Sequence, residues 1–252
     1  MGLIVLSTKA KNTRLLVSGC SYTAYCWSTW ADILGREFSS YYQAGLSGTD
    51  NATVARSIIK HAQPTDTVVI MWTSFDRWSF YKDEPWILPN KDRNNHWRHY
   101  VHMGSVTERN KDFVANYYHP VERFQTTMDY IQLIDLHSKS VGYTAYHFTA
   151  FPLFHSETEV TNDPRLEEIY RNFQIDNNYL LDVSLETFKR EHYNILTNNR
   201  YTKGDPHPTP LCHWDYVENI IAPRLGIQLD QSKKLRIVKE HENLIQRGIT
   251  IR

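Results

Sequence analysis

Two short segments at opposite ends of this 252-residue chain carry residues suited to nucleophilic chemistry. Leu15-Leu16-Val17-Ser18-Gly19-Cys20-Ser21-Tyr22-Thr23 is an apolar run that breaks into a small-residue turn bearing Ser21. Gly204-Asp205-Pro206-His207-Pro208 is a rigid turn bearing Asp205 and His207. A serine hydroxyl is a poor nucleophile until a histidine takes its proton. An acid on the far ring nitrogen keeps that histidine in the useful tautomer. Ser21, His207 and Asp205 are therefore the candidate parts of an acyl-attacking triad.

Such a triad works only on a scaffold that joins the two ends of the chain. Arg14 to Ser18 reads as a buried strand, Ser28 to Leu34 as a helix and Ser39 to Gln43 as a second strand. A turn at Gly45-Leu46-Ser47-Gly48 leads to a helix capped by Thr49 or Asp50 and running through His61. Thr67 to Trp72, apolar on both faces, reads as a central strand of a parallel sheet. Val121 to Ser140 predicts a long helix and Tyr143 to Phe148 a further strand. Helices follow at Leu166 to Phe173, Ser184 to Tyr193 and His213 to Ile221, the last ended by Pro223. The alternation predicts one α/β domain over 1–252, a three-layer α/β/α sandwich around a parallel sheet of about five strands. Active groups in such folds gather beyond the carboxyl ends of the strands.

Insertions interrupt this order at about 76–120 and 150–175, and a charged tail runs over 231–252. The first insertion mixes aromatics, histidines and charges without a clean period and reads as a lid with short helices. His96, His99 and His102 recur within it at a helical spacing, with no acid or cysteine in register to complete a metal site.

Composition narrows the function classes. Lys plus Arg and Asp plus Glu are 28 each, which argues against a general nucleic-acid binder. Met1 to Leu6 is too short for a signal peptide, and no stretch approaches the ~18 apolar residues of a membrane helix. A cytoplasmic protein without membrane partners is the expectation. Three cysteines, Cys20, Cys26 and Cys212, give no disulfide framework and fit a reducing compartment. With His213 they match no familiar zinc spacing, so no metal and no cofactor is expected.

In the order and spacing of its blocks the chain resembles the SGNH (GDSL-type) hydrolases, outside the insertions and the tail. Gly19-Cys20-Ser21-Tyr22-Thr23 is similar to the first block, which implies Ser21 as nucleophile, with Cys20 where the family often has aspartate. Ala44-Gly45-Leu46-Ser47-Gly48 is similar to the second, which implies Gly48 as a backbone donor to the oxyanion. Asp205 and His207-Pro208 are similar to the last block, although the acid lies two residues before the histidine where the family usually shows three. His213 matches a second histidine often found beyond that block.

The third block departs most. Thr73-Ser74-Phe75-Asp76 stands where the family has Gly-x-Asn-Asp, so Phe75 replaces an amide donor. Losing one such donor costs about 3 kcal/mol of transition-state stabilisation. Ser74, Thr73 and Asn51 are the nearby substitutes. Trp72, Asp76, Arg77 and His213 are the expected substrate contacts; Arg77 either forks onto an anionic group or pairs with Asp76.

The resemblance implies a serine esterase on a small-molecule or glycan ester, an acetylated sugar among them. Two alternatives stay open: an O-acyltransferase, and a binding protein that retains the fold with weak or no catalysis.

Overall fold

The computed structural model describes residues 13–81, 100–103, 111–152, 164–173, 179–180, 183–193 and 207–246. Asp205, His96, His99 and much of both insertions lie outside the described residues. In chain order the elements are β1 (Arg14–Gly19), α1 (Trp30–Gly35), β2 (Ser40–Gln43), α2 (Asn51–His61), β3 (Thr67–Trp72), β4 (Trp78–Tyr81) and β5 (Tyr100–Met103). They continue as α3 (Lys111–Tyr117), α4 (Pro120–Val141), β6 (Thr144–Thr149), α5 (Pro164–Asn172), β7 (Tyr179–Leu180) and α6 (Leu185–His192). The described chain closes with α7 (Pro210–Tyr216), α8 (Ala222–Leu225) and α9 (Lys234–Gln246).

Five strands form one parallel sheet in the order β2-β1-β3-β6-β7. The chain steps outward from β1 to β2, then crosses back to β3 on the other side of β1. That reversal opens a crevice beyond the carboxyl ends of β1 and β3, where ligands bind in open α/β sheets. Gly19 and Met71 are opposite each other at this edge.

The strands are apolar on both faces because helices cover both. Leu15, Val17, Val69 and Met71 pack with Trp30, Ile33 and Leu34 of α1, Trp214 and Tyr216 of α7 and Ile237 of α9. The alternate residues Leu16, Val68, Ile70 and Trp72 pack with Val54 and Ile58 of α2 and Phe124, Met128 and Ile131 of α4. Burying each such aliphatic side chain contributes roughly 1.5–3 kcal/mol.

The helix starts follow local chemistry. The Asp50 carboxylate accepts the Thr53 N–H at 2.9 Å and starts α2. Ser184 does the same for α6, accepting from Thr187 at 3.0 Å. Helix α4 ends at Gly142, whose φ of 90° is left-handed.

Three expectations are corrected. Trp72 is not a substrate contact: it shares the inward face of β3 with Val68 and Ile70 and is fully buried. Its indole N–H donates to His147 Nδ1 at 3.0 Å, and His147 Nε2 contacts the Asp135 carboxylate at 3.1 Å. Part of the first insertion is an antiparallel hairpin, β4 with β5, rather than short helices alone. His102 therefore lies on a strand, while His96 and His99 fall outside the described residues. Nor does Pro223 end the C-terminal helix. A π-turn over Val217–Ile221 follows α7, and Pro223 then falls in the first turn of α8, so the helical run passes through it.

Candidate active site

Beyond Gly19 the chain turns at once. The Cys20 carbonyl accepts the N–H groups of both Thr23 and Ala24, at 2.9 and 3.1 Å. This tight turn lifts Ser21 off the sheet edge while Cys20 points into the core. Gly19 is required by close approach: a Cβ there would lie 2.1 Å from Thr23 Oγ1 and 2.8 Å from the Met71 carbonyl. A Cβ on Gly45 would lie 2.8 Å from Thr23 Cγ2. Thr23 thus wedges between two glycines, and the Leu46 N–H donates to the Gly19 carbonyl at 2.9 Å. The first and second blocks are locked together by these contacts.

Ser21 meets His207 at this edge, with Ser21 Oγ 2.8 Å from His207 Nε2. Ser21 is only 5% exposed. Gly48 sits in the turn after β2 with φ of 76°, a left-handed conformation that glycine adopts without strain. Among the described residues, the N–H groups of Ser21 and Gly48 have no carbonyl partner.

The other expected donors are placed differently. Asn51 is a structural clasp: its amide donates to the Thr73 carbonyl at 3.0 Å and to Thr127 Oγ1 at 3.1 Å, and it accepts the Thr73 N–H at 2.9 Å. Both amide hydrogens are used, so Asn51 has none left for an oxyanion. The Ser74 hydroxyl donates to Asp76 Oδ2 at 3.3 Å. Thr73 Oγ1 is buried and without a hydrogen-bond partner among the described residues. Phe75 turns into the core and meets Phe124 edge-on, ring centres 5.7 Å apart.

Asp76 is buried and committed to its neighbours. It accepts hydrogen bonds from the hydroxyls of Tyr118 and Ser74. Arg77 reaches the site indirectly, its guanidinium 5.1 Å over the Phe151 ring, which packs on Tyr22 at 5.0 Å.

His213 lies behind the cleft rather than in it. It is 1% exposed on α7, and its Nδ1 has no hydrogen-bond partner among the described residues. Burial, reinforced by the nearby charges of His207 and Lys189, lowers its pKa to about 3. The unfolded chain takes up this proton near pH 6.5. His213 therefore contributes stability that is complete above pH ~6.5 and lost as the pH falls toward about 3, at up to about 1.4 kcal/mol per pH unit. Urea unfolding against pH should show a shallower acid limb in His213→Leu, by close to one proton.

Sequence reasoning missed the layer that supports the turn. The Tyr22 hydroxyl donates to Glu186 Oε2 at 2.6 Å, and Lys189 Nζ pairs with the same oxygen at 2.6 Å. Burial, and then the Glu186 charge, push the Tyr22 pKa up. Burial also raises that of Cys212, so its thiol stays protonated. The signal for this layer was the run of aromatics at Tyr22, Tyr25 and Trp27, directly after the serine.

Among the described residues no group of three or more His, Cys, Asp or Glu is placed to hold a metal ion, and no helix is long and apolar enough to cross a membrane.

No family model and no curated protein matches the chain. Solved structures resemble it at low identity. Protein YxiM of Bacillus subtilis is 11% identical with a TM-score of 0.32, over 96% of this chain and 58% of that one. The psychrotrophic esterase EstA of Pseudoalteromonas sp., in a structure inhibited by monoethylphosphonate, is 12% identical with a TM-score of 0.38, over 93% of this chain and 97% of that one. The chain thus spans little more than half the length of the first.

Proposed function

We propose that this chain is an SGNH-type serine hydrolase that cleaves ester bonds. Ser21 is the nucleophile, His207 the general base and Asp205 the acid that orients it. The reading is carried by the 2.8 Å contact between Ser21 Oγ and His207 Nε2, made by residues 186 positions apart. A fold-retaining binding protein has no need of that contact.

Ser21 Oγ attacks the ester carbonyl carbon as its proton passes to His207 Nε2. The carbonyl oxygen becomes an oxyanion, held by the N–H groups of Ser21 and Gly48. As the intermediate collapses, the imidazolium returns the proton to the leaving alkoxide, and the alcohol departs from an acyl-Ser21. His207 then takes a proton from water, which attacks the acyl carbon and frees the acid and the serine. An alcohol in place of that water gives acyl transfer.

With Asn51 and the Ser74 hydroxyl committed elsewhere, the side-chain donor left for the third position is the hydroxyl of Thr73. Arg77 is the proposed contact for an anionic group on the substrate.

Labelling with a fluorophosphonate probe, followed by peptide mapping, tests this. Wild type should be modified stoichiometrically at Ser21, and Ser21→Ala not at all. A folded wild type that stays unlabelled overturns the proposal. A panel of short acyl esters and acetylated sugars then finds the substrate.

A further inference from the structure

The face of His207 away from the reacting bond is covered by an aromatic layer that the mechanism has not used. Tyr25 lies flat on the imidazole, ring centres 4.0 Å apart and planes 19° from parallel. Trp27 meets Tyr25 edge-on at 4.5 Å, and its indole N–H donates to the Pro208 carbonyl at 2.9 Å. Tyr22 approaches the imidazole edge-on at 5.6 Å. All three aromatics come from the seven residues that begin with Ser21, so the segment carrying the nucleophile also grips the loop carrying the base.

We infer that Tyr25 is a positioning residue for His207, stacking on the imidazole to hold Nε2 on Ser21 Oγ, with Trp27 bracing Tyr25 and fixing the histidine loop at Pro208. This rests on the proposal that His207 is the catalytic base. A stacked ring removes the rotations that would swing Nε2 away from the serine. Its electron-rich face also favours a cation over a neutral ring, so it supports the imidazolium formed during acyl transfer. Phenylalanine would preserve both effects and leucine neither.

Among the described residues, the groups shown facing His207 are Ser21, Tyr22 and Tyr25 and His213 of α7, with Lys189 and Glu186 of α6 beside Tyr22. Asp205 is two residues away in sequence. None of these changes in a Tyr25→Leu variant except Tyr25 itself.

The test has two arms. In the first, kcat/KM against pH is measured for wild type, Tyr25→Phe and Tyr25→Leu. Tyr25→Leu should lose about 10-fold or more in kcat with little change in KM, and its acid limb should move down by about half a pH unit. Tyr25→Phe should match wild type in both. In the second arm, the His207 titration is followed by NMR in Ser21→Ala, with and without Tyr25→Leu. The same half-unit drop is expected there. This arm needs no catalysis and keeps its meaning even if the esterase reading fails. A folded Tyr25→Leu with unchanged kcat, or an unchanged His207 titration, overturns the inference. If instead Ser21→Ala and His207→Ala retain activity, the esterase reading falls, and the NMR arm alone decides whether Tyr25 holds His207. Should Tyr25→Leu not fold, Trp27→Phe removes the indole N–H while keeping a ring. It should lower kcat, and wild-type kcat in that variant counts against the clamp.

Discussion

Replacing His207 with alanine should lower kcat/KM for ester hydrolysis by about 10⁴–10⁶-fold, with the fold intact. The reason is the geometry at Ser21. Among the described residues its hydroxyl has one base within reach, at 2.8 Å, and without it the serine must attack as a neutral alcohol. Ser21→Ala should fall by a comparable amount. The double variant should be no worse than the single ones, because two groups that act as a unit fail together. A small residual rate over water should persist in all three if the proposed backbone donors at Ser21 and Gly48 hold the oxyanion. The measurement is initial-rate kinetics on the best ester from the panel, with circular dichroism to verify folding. A His207→Ala enzyme within tenfold of wild type would remove His207 from the mechanism.

The second large effect is on stability. Glu186→Ala should destabilise the protein by roughly 3 kcal/mol, because it strands a buried cation and a buried hydroxyl at once. Glu186 and Lys189 are only 7% and 9% exposed, and Tyr22 depends on the same carboxylate. Arg190, which pairs with Glu186 from a largely exposed position, adds little. For a chain of this length, that loss lowers Tm by about 10 °C. Glu186→Gln keeps an acceptor for Tyr22 and should fall between the two. Differential scanning calorimetry on the three proteins checks the order, and equal Tm values would show that the cluster contributes nothing net. Activity should fall with Glu186→Ala as well, since Tyr22 directly follows Ser21, the proposed nucleophile.

Much of this was legible in the residues. Strands β1 and β3 announced themselves because both faces are apolar, as a strand covered on both sides by helices must be. The Ser21 turn and the histidine loop, which the structure brings into contact, were legible because each pairs a chemical group with a break in the apolar pattern. Face assignment was not legible: in a strand apolar on both sides, alternation cannot say which face meets which layer. Trp72 was therefore read as facing substrate, when parity with Val68 and Ile70 places it under α4. Asn51 looked like a donor because it opens a helix, and only the three-dimensional placement of Thr73 and Thr127 shows its amide already occupied. Strand β7, two residues long, is too short to leave a period. The π-turn before Pro223 has no residue signature of its own, so the proline was read as a stop.

The distance along the chain between Ser21 and His207 has a consequence for when reactivity begins. A growing polypeptide displays Ser21 early and His207 only 186 positions later. Before that loop docks, the hydroxyl has the reactivity of any alcohol. On the proposed mechanism, acyl attack is thus withheld until this long-range contact forms, and long-range contacts are slow to form. Covalent capture at Ser21 during refolding would serve as a clock for that docking, distinct from collapse of the sheet.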